Sequence, residues 1–207
     1  MLQCSCRWLA IKFVLGLLPL VAMFGLSACS HWPGFKPESP AVELRLPAAA
    51  PAAFRLEGRV AVKAGEASFS GGLTWQRESA REELLLRSPL GQGVAELRGD
   101  AAGMELKDAQ GRLYFATDAD ALVKKVLGLE LPLRGLAWWV VGLPRPGTTY
   151  RATPDADGHL GELEQDGWQI LFTRYDLRQG RPLPGKLVAR RDETLEVRVV
   201  VDTWELP

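Results

Sequence analysis

From Phe54 onward, apolar and polar residues alternate in short runs. Phe54, Leu56 and Val60 are apolar, and charged or small residues stand between them. A period of two places alternate side chains on opposite faces, so each run predicts a half-buried β-strand. Gly58 interrupts the first run and predicts a bend or bulge. The runs that predict strands are residues 54–63, 69–75, 82–87, 94–98, 104–107, 112–115, 150–152, 160–164, 168–175, 186–190 and 195–204.

The middle of this region has a different period. Residues 118–127 carry apolar side chains at helical spacing, with Asp118 suited to cap the start and Gly128 to end the helix. A second helix is predicted over residues 134–141. Short strands separated by Gly-containing turns are typical of an antiparallel meander that curls. The pattern therefore predicts a mainly β fold with a short helical insertion: a curved antiparallel sheet of about 11 strands, open or nearly closed, with helices over one mouth.

The N-terminal residues predict a secretory signal. Arg7 and Lys12 precede residues 13–26, a run of fourteen largely apolar residues. This run is shorter than the roughly 20 residues that span a bilayer. A basic start followed by a short apolar run is typical of a cleaved signal peptide, whereas a retained membrane anchor needs a longer run.

The signal ends in a sequence that resembles the lipobox of bacterial lipoproteins, Leu26-Ser27-Ala28-Cys29. The resemblance implies cleavage after Ala28 and lipidation of Cys29, and a triacylated cysteine anchors a protein stably in a membrane. Lipoproteins kept in the inner membrane commonly carry Asp in the next position, and Ser30 permits export to the outer membrane. The alternative is an ordinary signal peptide with an incidental cysteine.

These features divide the chain into three parts. Residues 1–28 are the signal peptide, and residues 29–53, rich in Pro and Ala, are a lipidated cysteine and flexible tether. Residues 54–207 are long enough for one ordinary domain. Because Cys4 and Cys6 leave with the signal and Cys29 is lipidated, the mature domain has no disulfide.

Composition and motifs exclude several classes of function. Removing Arg7 and Lys12 from the 25 basic residues leaves 23 against 25 acidic ones, a net charge of −2 that argues against nucleic-acid binding. The chain has two histidines, His31 and His159, and lacks the GxSxG, HExxH and Walker motifs. We therefore predict that the protein is not an enzyme and has no catalytic residue, metal or cofactor.

Short motifs follow one another in a fixed order along residues 54–207. They are Phe54-x-x-x-Gly58-Arg59-Val60-Ala61-Val62, Phe69-x-Gly71-x-Leu73-x-Trp75, Leu84-Leu85-Leu86-x-Ser88-Pro89-Leu90-Gly91, Leu127-Gly128-x-x-Leu131-Pro132-Leu133, Leu136-x-x-Trp139-x-x-Gly142-Leu143-Pro144, Gly167-Trp168-x-Ile170 with Tyr175, and Trp204. Each motif alone is weak because it consists mostly of apolar and Gly positions. Their order, together with the lipobox, resembles the LolB family of outer-membrane lipoprotein receptors over essentially the whole mature domain.

The resemblance implies a fold and a function. It implies an unclosed antiparallel β-barrel with a helical lid over an apolar cavity. It implies a monomeric receptor, anchored in the outer membrane of a Gram-negative bacterium and facing the periplasm. Such a receptor accepts lipoproteins from a soluble periplasmic carrier, shelters their acyl chains and inserts them into the outer membrane without nucleotide hydrolysis. By motif, the exposed leucine that promotes membrane insertion falls on Leu90.

An acyl chain needs shelter because exposing one to water costs on the order of 10 kcal/mol, at about 0.8 kcal/mol per CH₂. A curved sheet with apolar inward side chains provides such a cavity. The alternative for each side chain is an ordinary packed core. The alternative function is accordingly an anchored structural or assembly lipoprotein with a filled barrel that binds protein or glycan. The candidate cavity residues are Phe54, Leu56, Phe69, Leu73, Trp75, Leu86, Trp139, Ile170, Phe172 and Trp204.

Overall fold

The computed structural model describes residues 42–206, which form eleven strands and two helices. The signal peptide, Cys29 and residues 30–41 of the predicted tether lie outside the described residues. The first half contains β1 (Ala53–Ala64), β2 (Ala67–Glu78), β3 (Arg81–Arg87), β4 (Gly93–Asp100), β5 (Gly103–Asp108) and β6 (Leu113–Ala116). Then follow α1 (Ala119–Leu127), α2 (Leu133–Trp139), β7 (Tyr150–Pro154), β8 (Leu160–Gln165), β9 (Trp168–Arg178), β10 (Arg181–Arg190) and β11 (Leu195–Glu205).

All eleven strands belong to one antiparallel sheet in the order β6-β5-β4-β3-β2-β1-β11-β10-β9-β8-β7. The pairing of β1 with β11 joins the two halves of the chain. Among the described residues β6 and β7 are the two edges and do not pair with each other, so the sheet is unclosed. These observations confirm the predicted mainly β fold of about 11 strands.

Alternating burial along the strands builds a core on one face of the sheet. In β11, Leu195, Val197, Val199 and Val201 are buried, and the residues between them are more exposed. The predicted irregularity at Gly58 is confirmed, because the register between β1 and β11 shifts there. A Cβ atom at this position would collide with the carbonyl oxygen of Val200.

The first helix has the predicted ends. An Asp118 side-chain oxygen accepts a hydrogen bond from the backbone N–H of Ala121 at 3.0 Å. Gly128 adopts a left-handed φ of 68°, and its N–H donates to the carbonyl of Lys124. Both signals are local, and for that reason the sequence alone predicts them. No helix within residues 42–206 is both long enough and apolar enough to cross a membrane.

Several predicted boundaries differ from the structure, and two of the differences have a clear physical reason. The second helix spans Leu133–Trp139 instead of 134–141, because Val141 donates to Trp138 at 3.2 Å and Gly142 to Trp139 at 2.9 Å in tighter turns that end the α-helical pattern. Strand β10 begins at Arg181 instead of residue 186. The prolines of β10 have no backbone N–H to donate to a neighbouring strand, and the register shift next to Pro184 accommodates them.

Residues 42–52, which we call the docked segment, contain no helix or strand but contact the domain. The N–H of Arg45 donates to the carbonyl of Gly158 at 2.7 Å. Leu44 and Leu46 pack against the core. The limit between tether and domain at residues 53 and 54 stays a prediction, and this part of the predicted tether lies against the domain.

Candidate functional site

The candidate site is the concave face of the sheet, covered by residues 119–143, which we call the helical segment. Helix α1 packs against β5, β6 and α2. Leu122 and Val123 of α1 and Leu136 of α2 are buried in the same core as the strand residues. The helical segment therefore fills the space that the curved sheet encloses.

The structure brings the sequence-predicted cavity residues together in this core. Phe69 is partly buried and packs against it. The ring of Phe54 contacts two of the others edge-on, with centroid distances of 6.2 Å to Trp75 and 5.5 Å to Trp204. The nine buried members are Phe54, Leu56, Leu73, Trp75, Leu86, Trp139, Ile170, Phe172 and Trp204.

Little free space remains inside. The interior contains an apolar cavity of about 20 Å³, which is room for about one water molecule. Of the predicted residues, Leu73, Trp75 and Leu86 line it. The other lining residues were not predicted as cavity residues, because their only signal in the sequence is the inward phase of their strands or their place in the helical segment. They are Val60, Leu84, Leu97, Leu131, Leu133, Leu136 and Val199.

Gln165 fastens the end of the helical segment to the sheet. This side chain is 3% exposed, and its Oε1 accepts hydrogen bonds from Trp139 Nε1 at 3.0 Å and from the Arg145 N–H at 2.7 Å. Its Nε2 donates to the carbonyl of Arg145 at 2.8 Å and to Thr148 Oγ1 at 2.9 Å. A buried amide with all these partners rigidifies its surroundings, and the sequence analysis did not identify it.

An ion pair lies beside this network. Arg145 Nε donates to Asp166 Oδ2 at 2.8 Å. This hydrogen bond from Arg145 lowers the pKa of Asp166 below its ordinary value. Because the folded-state pKa is lowered, the pair stabilises the fold above the ordinary pKa of Asp, and this contribution is lost as pH falls through the folded-state value.

Leu90 lies in the turn of residues 88–92 between β3 and β4, which we call the Leu90 turn. It is 88% exposed, more than any other large apolar side chain that the structure describes. The turn is ordered by hydrogen bonds from the Gly91 N–H to the Ser88 carbonyl at 2.8 Å and from the Ser88 N–H to the Gln92 carbonyl at 2.7 Å. The Leu90 side chain, at the tip of this turn, is therefore an exposed apolar group on an ordered backbone.

A small acidic cluster has a structural explanation. Ligand atoms of Asp155, Asp157 and His159 lie within 4.8 Å of one another in the turn between β7 and β8. Asp155 Oδ1 accepts from the backbone N–H groups of Asp157 at 2.9 Å and His159 at 2.8 Å. An Asp side chain commonly stabilises a turn by accepting hydrogen bonds from nearby backbone N–H groups. This role accounts for the position of Asp155.

The fold and site define an antiparallel β protein whose sheet, unclosed in residues 42–206, wraps an apolar interior under two short helices. The family model described as outer membrane lipoprotein LolB matches residues 52–204. The chain belongs to this family.

Related proteins support the assignment. The outer-membrane lipoprotein LolB of Pseudomonas aeruginosa is 41% identical over 154 residues, which are 74% of each chain. The protein of that name from Pseudomonas putida is 37% identical over 73% of this chain and 74% of its own. Membership confirms that this is an outer-membrane lipoprotein and not an enzyme, and it supports a role in lipoprotein localisation.

Comparison with solved structures gives likenesses at low sequence identity. A DUF1329 family protein from Desulfovibrio piger has a TM-score of 0.50 and 8% identity, covering 76% of this chain and 86% of its own. A LolA superfamily protein from Nitrosomonas europaea has a TM-score of 0.49 and 7% identity, covering 81% of this chain and 90% of its own. At such identity the first likeness concerns the fold alone.

Proposed function

We propose that this protein is a receptor that takes lipoproteins from a soluble periplasmic carrier, shelters their acyl chains and inserts them into the outer membrane. The observation that carries the proposal is the interior, where ten apolar side chains surround the cavity. An acyl chain has the same chemistry as this lining. Cys29, outside the described residues, is the proposed lipid attachment site that keeps the receptor at its membrane.

Cargo binding requires displacement of the helical segment. A cavity of about 20 Å³ holds no acyl chain, and Leu131, Leu133 and Leu136 occupy the space next to the sheet. Withdrawing three leucines from an apolar environment costs about 5–9 kcal/mol if they become exposed. Burying one long acyl chain returns on the order of 10 kcal/mol. The two magnitudes are comparable, so the acyl chain can replace the leucines at little net cost.

Transfer then proceeds without nucleotide hydrolysis. The sequence contains no Walker motif, so direction comes from differential affinity: the receptor holds acyl chains more tightly than the carrier, and the bilayer holds them more tightly than the receptor. The Leu90 turn promotes the last step, because its exposed apolar tip enters the lipid surface. The receptor acts as a monomer.

The nearly filled interior favours a second candidate function. An anchored structural or assembly lipoprotein that binds protein or glycan needs no internal cavity, and the apolar interior has a cavity of only about 20 Å³. The two candidates differ in one respect: in the receptor the helical segment moves aside for acyl chains, and in the scaffold it is a permanent part of the core.

A transfer assay distinguishes them. A purified complex of carrier and acylated lipoprotein is mixed with the mature receptor in the absence of ATP, and the distribution of cargo is followed by pull-down. We expect cargo to move to the receptor, and a lipoprotein whose acylated cysteine is replaced by serine to remain unbound. Retention of acylated cargo on the carrier would contradict the receptor function and favour the scaffold.

A further inference from the structure

Three of the four buried tryptophans of the core, Trp75, Trp139 and Trp204, differ in how their indole N–H groups are satisfied. Trp139 Nε1 donates to Gln165 Oε1 at 3.0 Å, and Trp204 Nε1 donates to the Pro184 carbonyl at 3.3 Å. Trp75 is only 1% exposed, yet its Nε1 has no acceptor within residues 42–206. An indole nitrogen can only donate, and a buried donor without an acceptor is unfavourable. Within residues 42–206, Trp75 therefore brings a donor without a partner into the apolar interior.

Trp75 is the last apolar inward residue of β2. It lines the cavity together with Leu73, the preceding inward residue of β2. The next residue in this phase is Arg77, whose Nε donates to Glu82 Oε1 at 2.7 Å and whose guanidinium lies 5.3 Å from the centre of the Phe54 ring. The Arg77 side chain is 11% exposed. Along β2 the environment thus changes from hydrocarbon to charged within two positions of Trp75.

We propose that the Trp75 indole N–H donates a hydrogen bond to an acyl carbonyl oxygen of the bound lipoprotein. This inference rests on the proposed receptor function and adds a positioning and specificity residue to it. A lipidated cysteine carries chains that are hydrocarbon except at their ester and amide carbonyls. A carbonyl oxygen is an acceptor only, and it is the polar atom closest to the hydrocarbon. It therefore matches a lone donor at the edge of an apolar cavity.

The contact also sets the direction of the chain. With the carbonyl at Trp75, the hydrocarbon extends past Leu73 into the apolar cavity. The glyceryl group and the lipoprotein then lie at the end marked by the Arg77–Glu82 ion pair. The hydrogen bond favours acylated cargo over plain hydrocarbon of the same length.

The test compares two synthetic lipopeptides that differ only in the chain linkage. One carries two ester-linked chains on its glyceryl cysteine, and the other carries the same chains as alkyl ethers without carbonyls. The full-length mature protein should bind the ester probe about fivefold more tightly, as one neutral hydrogen bond allows. Trp75→Phe should bind the two probes equally. A third probe with ether-linked chains and one amide-linked chain tells whether the ester or the amide carbonyl is the acceptor.

Trp168→Phe is the matched control. It removes the indole N–H of a buried tryptophan that is neither a candidate cavity residue nor part of the cavity lining, so the preference for a carbonyl should remain. If Trp75→Phe does not fold, β-(3-benzothienyl)alanine at position 75 removes the N–H while keeping the ring shape. Equal preference in wild type and the position-75 variant, or no preference of wild type for either carbonyl-bearing probe over the ether probe, would overturn the inference and leave the receptor function intact. Failure of wild type to bind either probe would overturn both.

Discussion

Leu90 shows how one residue can be exposed without being loosely held. A side chain that is 88% exposed contributes little burial energy to folding. The backbone hydrogen bonds of the Leu90 turn nevertheless fix its position. Single exposed leucines are common on protein surfaces, and Leu177 on β9 is one, at 71%. The two leucines provide a comparison between a side chain with a proposed membrane role and one without.

Leu90→Glu should leave the fold and cargo binding unchanged but impair release into membranes. The side chain is exposed, so the free energy of unfolding should change by no more than about 0.5 kcal/mol. A carboxylate at the tip opposes entry into lipid, and we expect transfer of bound lipoprotein to liposomes to fall about tenfold or more.

Leu177→Glu is the control for this experiment, since it adds the same charge to another exposed leucine. Its liposome transfer should match wild type. Wild-type transfer by Leu90→Glu, or an equal loss in both variants, would show that the Leu90 turn has no specific role in insertion.

At the scale of elements, the helical segment is attached to the sheet in two ways. Its apolar side chains, including Leu131, Leu133 and Leu136, pack against the strands. Its C-terminal end is fastened through Gln165, which binds both the Trp139 side chain and the backbone of Arg145. Loss of the second attachment should loosen one end of the segment while the sheet keeps its own hydrogen bonds.

Gln165→Leu tests this attachment. The variant leaves the buried Trp139 N–H without its acceptor, so we expect a loss of about 1–3 kcal/mol in the free energy of unfolding. In native-state hydrogen exchange, residues 133–145 should lose protection while β11 keeps its protection. Cargo uptake from the carrier should become faster.

Gln169→Leu is the matched control, because Gln169 is exposed on the neighbouring strand β9 and should show none of these changes. An equal loss of protection throughout the sheet in Gln165→Leu would mean that Gln165 stabilises the whole domain and does not fasten the helical segment.

The sequence predicts elements best where the signal is local. Asp118 and Gly128 define the ends of α1 through contacts with residues three to four positions away, and alternation identifies the strands. The end of α2 is set by tighter turns and the start of β10 by a bulge, and the helix and strand propensities of the residues do not predict either feature. The role of Gln165 depends on partners about twenty residues away, so no nearby pattern indicates it.

At the scale of the whole molecule, antiparallel pairing separates two ends of the sheet. The Leu90 turn lies at the same end as the β1–β2 and β10–β11 turns, which contact each other through the Gly65 N–H and the Thr194 carbonyl at 2.9 Å. The docked segment contacts Gly158 in the β7–β8 turn, at the opposite end. The chain that leads toward the proposed lipid anchor thus leaves the domain at the end away from the insertion tip.

The filled interior is the feature that the sequence could not predict. Strand periodicity and the family resemblance gave the curved sheet, and the ten predicted cavity residues do meet in one core. Whether such a core is hollow depends on how well side chains from distant elements interlock. Here Leu131, Leu133 and Leu136 from the helical segment fill it, and three of the predicted residues line the small space that remains.

Photolabelling with a lipoprotein whose acyl chain carries a diazirine tests most directly whether this interior takes up acyl chains. The cargo is transferred from the carrier to wild-type receptor, irradiated, and the labelled residues are identified by mass spectrometry. Leu84 and Leu85 are adjacent in β3, but only Leu84 lines the cavity. We predict label on Leu84, Leu86 and Leu136 and none on Leu85. Label confined to the outer face or the Leu90 turn, with the inward leucines unmodified, would contradict the account.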